Sequence, residues 1–342
     1  MMIGHQQSVL NHGFMDEHML ATPFLDSLSA HSITMSQGYV LSDDYLYNHR
    51  SLLSGVHPAI LHEQVLQEIA DEMSRKTFKN RQALEDFVST EKFKAFSHEN
   101  TIPKILRQAG YTSIFIGNEK AFDVSASGFD HSLSRNNTVD KSFLPVNKPI
   151  FLYATTAQEQ RSTEVDTNLK IENIRTNDDF FSNVIRDYRK NRANRKAIIL
   201  YMTDGGLFNG KNLMYRTPIL FSMLNDDDIK KGGSKVLFSA IDVMPTLLEF
   251  LNIEQQLDQF AISQKNLLIN RQQKARTSII GKSKNGYWIR NHNFFFLSEE
   301  GKKEIYELNY DPSCQDNMID YHPAKTRRYL SEIDEFQKLI SK

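Results

Sequence analysis

Cysteine is almost absent from this sequence: Cys314 is the only one in 342 residues. That count excludes an internal disulfide and a thiolate-rich zinc site. An excess of one charge is missing too. Lys and Arg total 41 against 42 for Asp and Glu, a formal net charge of −1. No overall field therefore draws the chain to nucleic acid or an anionic membrane. No apolar run approaches the ~20 residues that a membrane-spanning helix needs, and the opening residues carry no secretory pattern. Internal repeats, low-complexity tracts, P-loop and Rossmann glycine patterns and the HExxH zinc pair are all absent. Cys314 sits in a polar loop and reads as incidental. The basic stretch "RDYRKNRANRK" (186–196) reads as the solvated end of a helix plus a loop.

What is present is an ordinary soluble core. Apolar residues make up 40% and charged residues 24%, which suits one large α/β domain or a domain with a small appendage. Apolar runs of strand length alternate with helical patterns. "MMIG" reads as a clipped first strand, and "TPFLDSLSAHS" as a helix behind a Thr-Pro start. "SITMSQGYV" (32–40) reads as a strand, and "SLLSG" (51–55) as a short helix stopped by glycine. "TIPKILRQAG" (101–110) has Thr as cap, Pro in the first turn and Gly at the end. "YTSIFIG", "PIFLYAT", "AIILYMTD" and "TPILFSM" read as buried strands, residues 178–190 as an amphipathic helix and 239–253 as another. Strand-helix alternation predicts a mainly parallel central sheet with helices on both faces. The tail changes character. Its aromatic, alternating segments, "YWIRNHNFFFL" among them, predict a small C-terminal antiparallel hairpin subdomain. The expected division is 1–275 for the α/β domain and 276–342 for the subdomain.

In such sheets ligands bind where strands end, and Asp204 closes "AIILYMTD". These segments, in this order, resemble the sulfatase and alkaline-phosphatase superfamily, including its phosphoethanolamine-transferase and lipoteichoic-acid-synthase-like branches. "HRSLLSGVHP" is similar to the family's "RASLLTGRYP", "NTIPKILRQAGYTSIFIGNEK" to "TLPELLKEAGYRTALIGKWH", and "GFDH" (128–131) to "GFDHF". "YMTDGG" falls where the family has "TSDHG". "SAIDVMPTLLEFLNI" resembles "SHVDLLPTLLDLAGI", and "KKEIYELNYDPSCQDNM" resembles "EELYDLENDPGETNNL". The match spans nearly the whole chain and implies an alkaline-phosphatase-like fold.

The resemblance also implies a reaction that needs a divalent metal, a nucleophile and basic residues around the ester oxygens. It places the metal ligands at His5, at Asp204 and at Asp43 or Asp44. Asp204 keeps its family position, but Gly205 replaces the partner ligand. The plainer alternative is that Asp204 caps a turn and that His5 is a polar strand end. The sulfatase alignment puts the nucleophile at Tyr45. The transferase alignment puts it near Asp43, with Ser42 the only small hydroxyl close by. No Cys, Thr or Pro occupies this loop, which excludes formylglycine chemistry as the family performs it. His49, Arg50 and Lys120 fall where anionic oxygens would be met, and Lys211 lies between the acid and "RTP". Arg216 reads as the partner of a core carboxylate.

Scaffold segments persist while chemical positions change. Two readings follow. In one, the chain is sulfatase-like, has lost the family reaction, and serves as a binding or regulatory module for a protein or glycan. In the other, it is a divergent metal-dependent phosphotransferase or hydrolase. Its substrates would be phosphate or sulfate esters, such as phosphoethanolamine-type lipid headgroups. Its cofactor would be one divalent ion (Zn, Mn, Mg or Ca), whereas the first reading needs none. If Met1 is the true start the chain is expected in the cytoplasm. If an anchor or signal precedes it, an extracytoplasmic location is expected.

Overall fold

The computed structural model describes residues 1–4, 22–75, 82–83, 100–117, 124, 127–134, 147–156, 167–192, 195–203, 214–224, 231–255, 258–269 and 276–341. Among them, the main sheet has 9 strands. They are β1 (Met2–Gly4), β2 (Ile33–Tyr39), β3 (Thr112–Gly117), β4 (His131–Ser134), β5 (Ile150–Thr155), β6 (Ala197–Thr203), β7 (Arg216–Leu224), β8 (Gly232–Ser234) and β9 (Phe238–Ser239). Their spatial order is β4-β3-β5-β1-β6-β7-β2-β8, with β9 also on β2. All neighbours run parallel except β7, which is antiparallel to both β6 and β2. The sheet is mainly parallel, as expected, with that one strand reversed.

Helices cover both faces: α1 (Pro23–Ser29), α2 (Tyr45–Ser54), α3 (Pro58–Met73), α4 (Ile102–Gln108), α5 (Thr167–Arg192), α6 (Val243–Phe250) and α7 (Lys265–Leu268). Strand periodicity divides the apolar residues between two cores. Phe115, Leu200, Met202 and Phe221 pack with Leu52, Leu106 and Leu247 on the α2–α4–α6 side. Their chain neighbours Ile114, Ile116, Ile199 and Tyr201 pack with Leu25, Phe181 and Val184 on the α1–α5 side. Burial on both faces explains why these strands read as unbroken apolar runs.

Local signals hold with some changes. α2 ends on Gly55, whose φ of 68° is the left-handed stop expected of glycine. Thr101 precedes α4, but its hydroxyl donates to Ser127 O (2.6 Å) instead of capping the helix. The segment expected as one helix from 239 begins as a 3-10 turn, Ala240–Asp242, before α6. The basic stretch 186–196 is not wholly solvated. Arg192 is buried and donates to Lys148 O (3.0 Å). No helix among the described residues is long and apolar enough to cross a membrane.

The C-terminal part exceeds a hairpin. β10 (Ser278–Ser283), β11 (Gly286–Asn291), β12 (Phe294–Glu299) and β13 (Lys302–Glu307) form a 4-stranded antiparallel sheet, backed by α8 (Pro323–Ile340). Ile289, Phe296 and Ile305 face Tyr329, Ile333 and Phe336 of α8. Trp288, Phe295 and Tyr306 face the main body through Tyr39, Leu41 and Tyr215, and Trp288 stacks on Tyr215 at 4.6 Å. The aromatic tail is thus core on both sides. Cys314, far from being an incidental loop residue, is buried in the same cluster.

His57 joins the two parts. Its Nδ1 accepts from Ala59 N (3.1 Å) at the start of α3, which leaves Nε2–H to donate to Ile280 O of β10 (2.9 Å). Full burial pushes its pKa down from 6.5 to about 4, with Arg276 adding to the effect against the Ile280 hydrogen bond. The folded state holds the neutral ring, so the ring's contribution to stability is complete above pH 6.5 and is lost as pH falls towards about 4. The size is of order ~3 kcal/mol for a shift of this extent. Urea unfolding across pH 4–7 should show this loss. His57→Asn, which can still accept from Ala59 N, should flatten the pH dependence.

Candidate functional site

Parallel pairing brings the strand ends to one edge. Gly4, Tyr39, Gly117, Thr155 and Thr203 are the last residues of β1, β2, β3, β5 and β6, and Arg216 opens the reversed β7 at the same edge. Every expected site residue lies in a segment that follows one of these ends or precedes Arg216. His5, Lys120, Asp204 and Lys211 lie outside the described residues. The residues that lead to two of them are register partners: Gly4 of β1 pairs with Thr203 of β6. Thr203 is itself fixed. Its N–H donates to Thr217 Oγ1 (2.9 Å), and the Thr217 hydroxyl donates to Thr203 O (3.0 Å). Thr203 of β6 and Thr217 of β7 are therefore tied directly to each other.

The loop after β2 is described in full. Asn48, in the first turn of α2, holds it by both ends of its amide. Ser42 N donates to Asn48 Oδ1 (2.9 Å), and Asn48 Nδ2 donates to Ser42 O (2.8 Å). Ser42 is buried, and its Oγ accepts from Asp44 N (3.1 Å). Asp44 caps α2 by accepting from Leu46 N (2.9 Å). Asp43 Oδ2 accepts from Lys284 N (2.9 Å) in the β10–β11 turn. Two of the expected carboxylates thus serve backbone groups, and the Ser42 hydroxyl serves the turn.

Tyr45, the first residue of α2, is half-buried, and its ring meets His49 edge-on at 6.4 Å. His49 Nδ1 lies 2.5 Å from the Tyr153 hydroxyl of β5, which ties α2 to the middle of the sheet. Arg50 is fully buried, with its guanidinium 6.0 Å from the centre of the Tyr47 ring. Arg216 does not pair with a carboxylate among the described residues. Its Nε donates to Ser36 O (2.8 Å) at the irregularity in β2, and burial lowers its pKa. Among the described residues, no three His, Cys, Asp or Glu side chains converge. A divalent ion would need His5 or Asp204 beside Asp43 or Asp44. These residues do not by themselves make a metal site.

No family model matches the chain. An arylsulfatase of Clostridium perfringens (strain 13 / Type A) is 25% identical over 164 residues, 43% of this chain. The match spans 33% of that relative's length. Solved structures agree over far more of the chain. A 2-O glycosaminoglycan sulfatase superposes with a TM-score of 0.72 at 13% identity, covering 100% of this chain and 92% of its own. The chain has a sulfatase-like fold. A phosphonate monoester hydrolase from Silicibacter pomeroyi has the same architecture, with a TM-score of 0.70 at 12% identity, 98% of this chain and 94% of its own. So does a protein solved with its substrate D-glucosamine-2-N,6-O-disulfate, at a TM-score of 0.68, 14% identity, 99% of this chain and 97% of its own.

Within this sulfatase-like fold, three working residues had no sequence signal strong enough to single them out. Asn48 looks like an ordinary helix residue, Tyr153 like strand core, and Lys284 acts through its backbone. Only the Ser-Asp-Asp run before a helix announces a cap. The cap and a metal ligand make different demands on Asp44. Asp44→Ala should destabilise the fold by about 1 kcal/mol, whereas Asp44→Asn should retain stability within a few tenths. Paired thermal melts with and without chelator test this. An Asn variant as damaging as Ala, only when metal is present, would mean that the charge and not the cap matters.

Proposed function

We propose that the chain binds an anionic ester group, a sulfate or phosphate on a sugar or headgroup, at the carboxyl edge of the main sheet without turning it over by the family's nucleophile. The observation that carries this reading is Tyr45. It stands at the first position of α2, where the resemblance puts the nucleophile, and a phenol cannot become a formylglycine. The small hydroxyl of this loop, Ser42, is buried and accepts a backbone hydrogen bond. What remains favours binding. The buried Arg50 guanidinium and the α2 amino terminus supply positive potential, and His49 offers a ring nitrogen beside them. The ligand class is proposed by analogy with structural neighbours such as the one solved with D-glucosamine-2-N,6-O-disulfate.

A second reading has one observation in its favour. The Gly4–Thr203 register starts the His5 and Asp204 segments from neighbouring strands, as a divergent metal-dependent hydrolase or phosphotransferase requires. Here the ion would supply charge stabilisation to the ester oxygens, and Lys211 and Lys120 would flank the ester.

Calorimetry with sulfated glucosamines and phosphoethanolamine, beside hydrolysis assays with Zn, Mn, Mg and Ca, separates the two. Binding without turnover is expected. A bound ligand at 100-fold over its dissociation constant should raise stability by about 2.7 kcal/mol. Metal-dependent turnover that Asp204→Ala and Tyr45→Phe both abolish would overturn the binding reading in favour of the enzyme.

A further inference from the structure

Two guanidinium groups meet where the C-terminal sheet packs on the main sheet, and among the described residues no carboxylate pairs with either. Arg216 opens β7 and lies across the strands from Tyr39, the last residue of β2. Cross-strand partners project from the same face of a sheet, so the Arg216 side chain lies on the Tyr39 face. Arg290 of β11 reaches the same place from the other sheet. Its Nε donates to the Tyr39 hydroxyl (2.7 Å), its Nη2 donates to Gln37 Oε1 (2.9 Å), and its guanidinium carbon is 5.5 Å from the centre of the Tyr39 ring. Arg216 Nε donates to Ser36 O (2.8 Å). The two side chains are thus anchored on consecutive residues, Ser36 and Gln37, at the irregularity in β2.

Neither charge is matched. Arg290 is 3% exposed, and its Nη1 is buried without an acceptor. Arg216 is half-buried, and its one hydrogen bond among the described residues is made by Nε, which leaves both Nη atoms open. Burial lowers the Arg216 pKa, and the Arg290 charge lowers it further against the opposing effect of Tyr39. The contrast at the same joint is Arg276, which is held by both oxygens of Asp242.

Water can solvate the open end of Arg216, but it brings no charge. Two like charges in a partly desolvated joint repel each other and are costly unless paired. An oxyanion meets both needs. It accepts two parallel N–H bonds from the fork of one guanidinium, and its charge offsets the repulsion from the second one behind.

We propose that Arg216 and Arg290 form an oxyanion site at this joint. It takes a sulfate or phosphate group on the Nη atoms of Arg216, with the buried Arg290 adding its field from behind. The site uses none of the α2 residues and does not rest on the ester reading.

The test uses the full 342-residue chain, which carries its own reporter. Trp288 is the one tryptophan and stands two residues from Arg290, with its ring 6.2 Å from that of Tyr39. Sodium sulfate, sodium phosphate and glucosamine 6-sulfate are titrated with ionic strength held constant by sodium chloride, and Trp288 fluorescence and heat are followed. A saturable change in both is expected. Arg216→Gln should weaken it by at least about tenfold and Arg290→Gln by about threefold or more. In thermal melts the wild type should gain on Arg216→Gln as sulfate rises, a comparison that holds even if Arg290→Gln fails to fold. Tighter binding of glucosamine 6-sulfate than of sulfate marks a sugar-borne group as the source, and the reverse order marks the free ion. Binding that Arg216→Gln leaves unchanged would overturn the proposal. So would a melting temperature that climbs without saturation and equally in both proteins, since that is the general effect of an excluded salt.

Discussion

The register of β1 between β5 and β6 is the constraint on which the candidate site depends. Three residues, Met2–Gly4, join the β4-β3-β5 half of the sheet to the β6-β7-β2 half. Their pairing sets Gly4 beside Thr203 and Met2 beside both Ala154 and Tyr201. A slip of one residue would exchange the faces of the strand and move the chain that leads to His5 away from the chain that leads to Asp204. Because both neighbours run parallel to β1, the strand ends and the loops after them collect on one side.

The loop that carries Ser42, Asp43 and Asp44 is then fixed by parts of the chain far away in sequence. Lys282 N of β10 donates to Leu41 O (2.7 Å), and Lys284 N donates to Asp43 (2.9 Å). Arg290 of β11 donates to the Tyr39 hydroxyl (2.7 Å) at the end of β2 and to Gln37 (2.9 Å). The C-terminal sheet is therefore the outer wall of the candidate site as well as a hydrophobic cap. The ion pair of Arg276 with Asp242 closes the same joint. Asp242 is fully buried and also accepts from Ser239 N (3.0 Å) and Ile262 N (2.9 Å), so its charge is fully hydrogen-bonded. That satisfaction is what makes a buried carboxylate tolerable.

A sulfatase-like scaffold has a simple physical logic. The cores on the two faces are specified by many residues of small individual effect, such as Phe115, Leu200 and Ile199, and they tolerate exchange of one apolar residue for another. The site depends on a few side chains whose exact atoms matter. Here Ser42 and Asp44 serve a turn and a helix cap, roles that stabilise the loop without requiring a ligand.

Much of this was legible in the sequence by itself. Apolar runs bounded by Gly and Pro mark β3, β5, β6 and α4, because period and breakers are local properties of the chain. The order of those runs, with the family-like segments, determined the fold class. The spacing from "SLLSG" also let the resemblance place the expected nucleophile at Tyr45 or near Asp43. Tertiary structure alone decided the rest. The reversal of β7 depends on which strand lies beside it, and no local pattern states that. The grip of Asn48 on Ser42, the contact of His49 with Tyr153, and the hold of Lys284 on Asp43 join residues whose local sequence shows only a polar loop, a helix and a strand. Neighbours across a sheet are set by packing and not by adjacency in the chain.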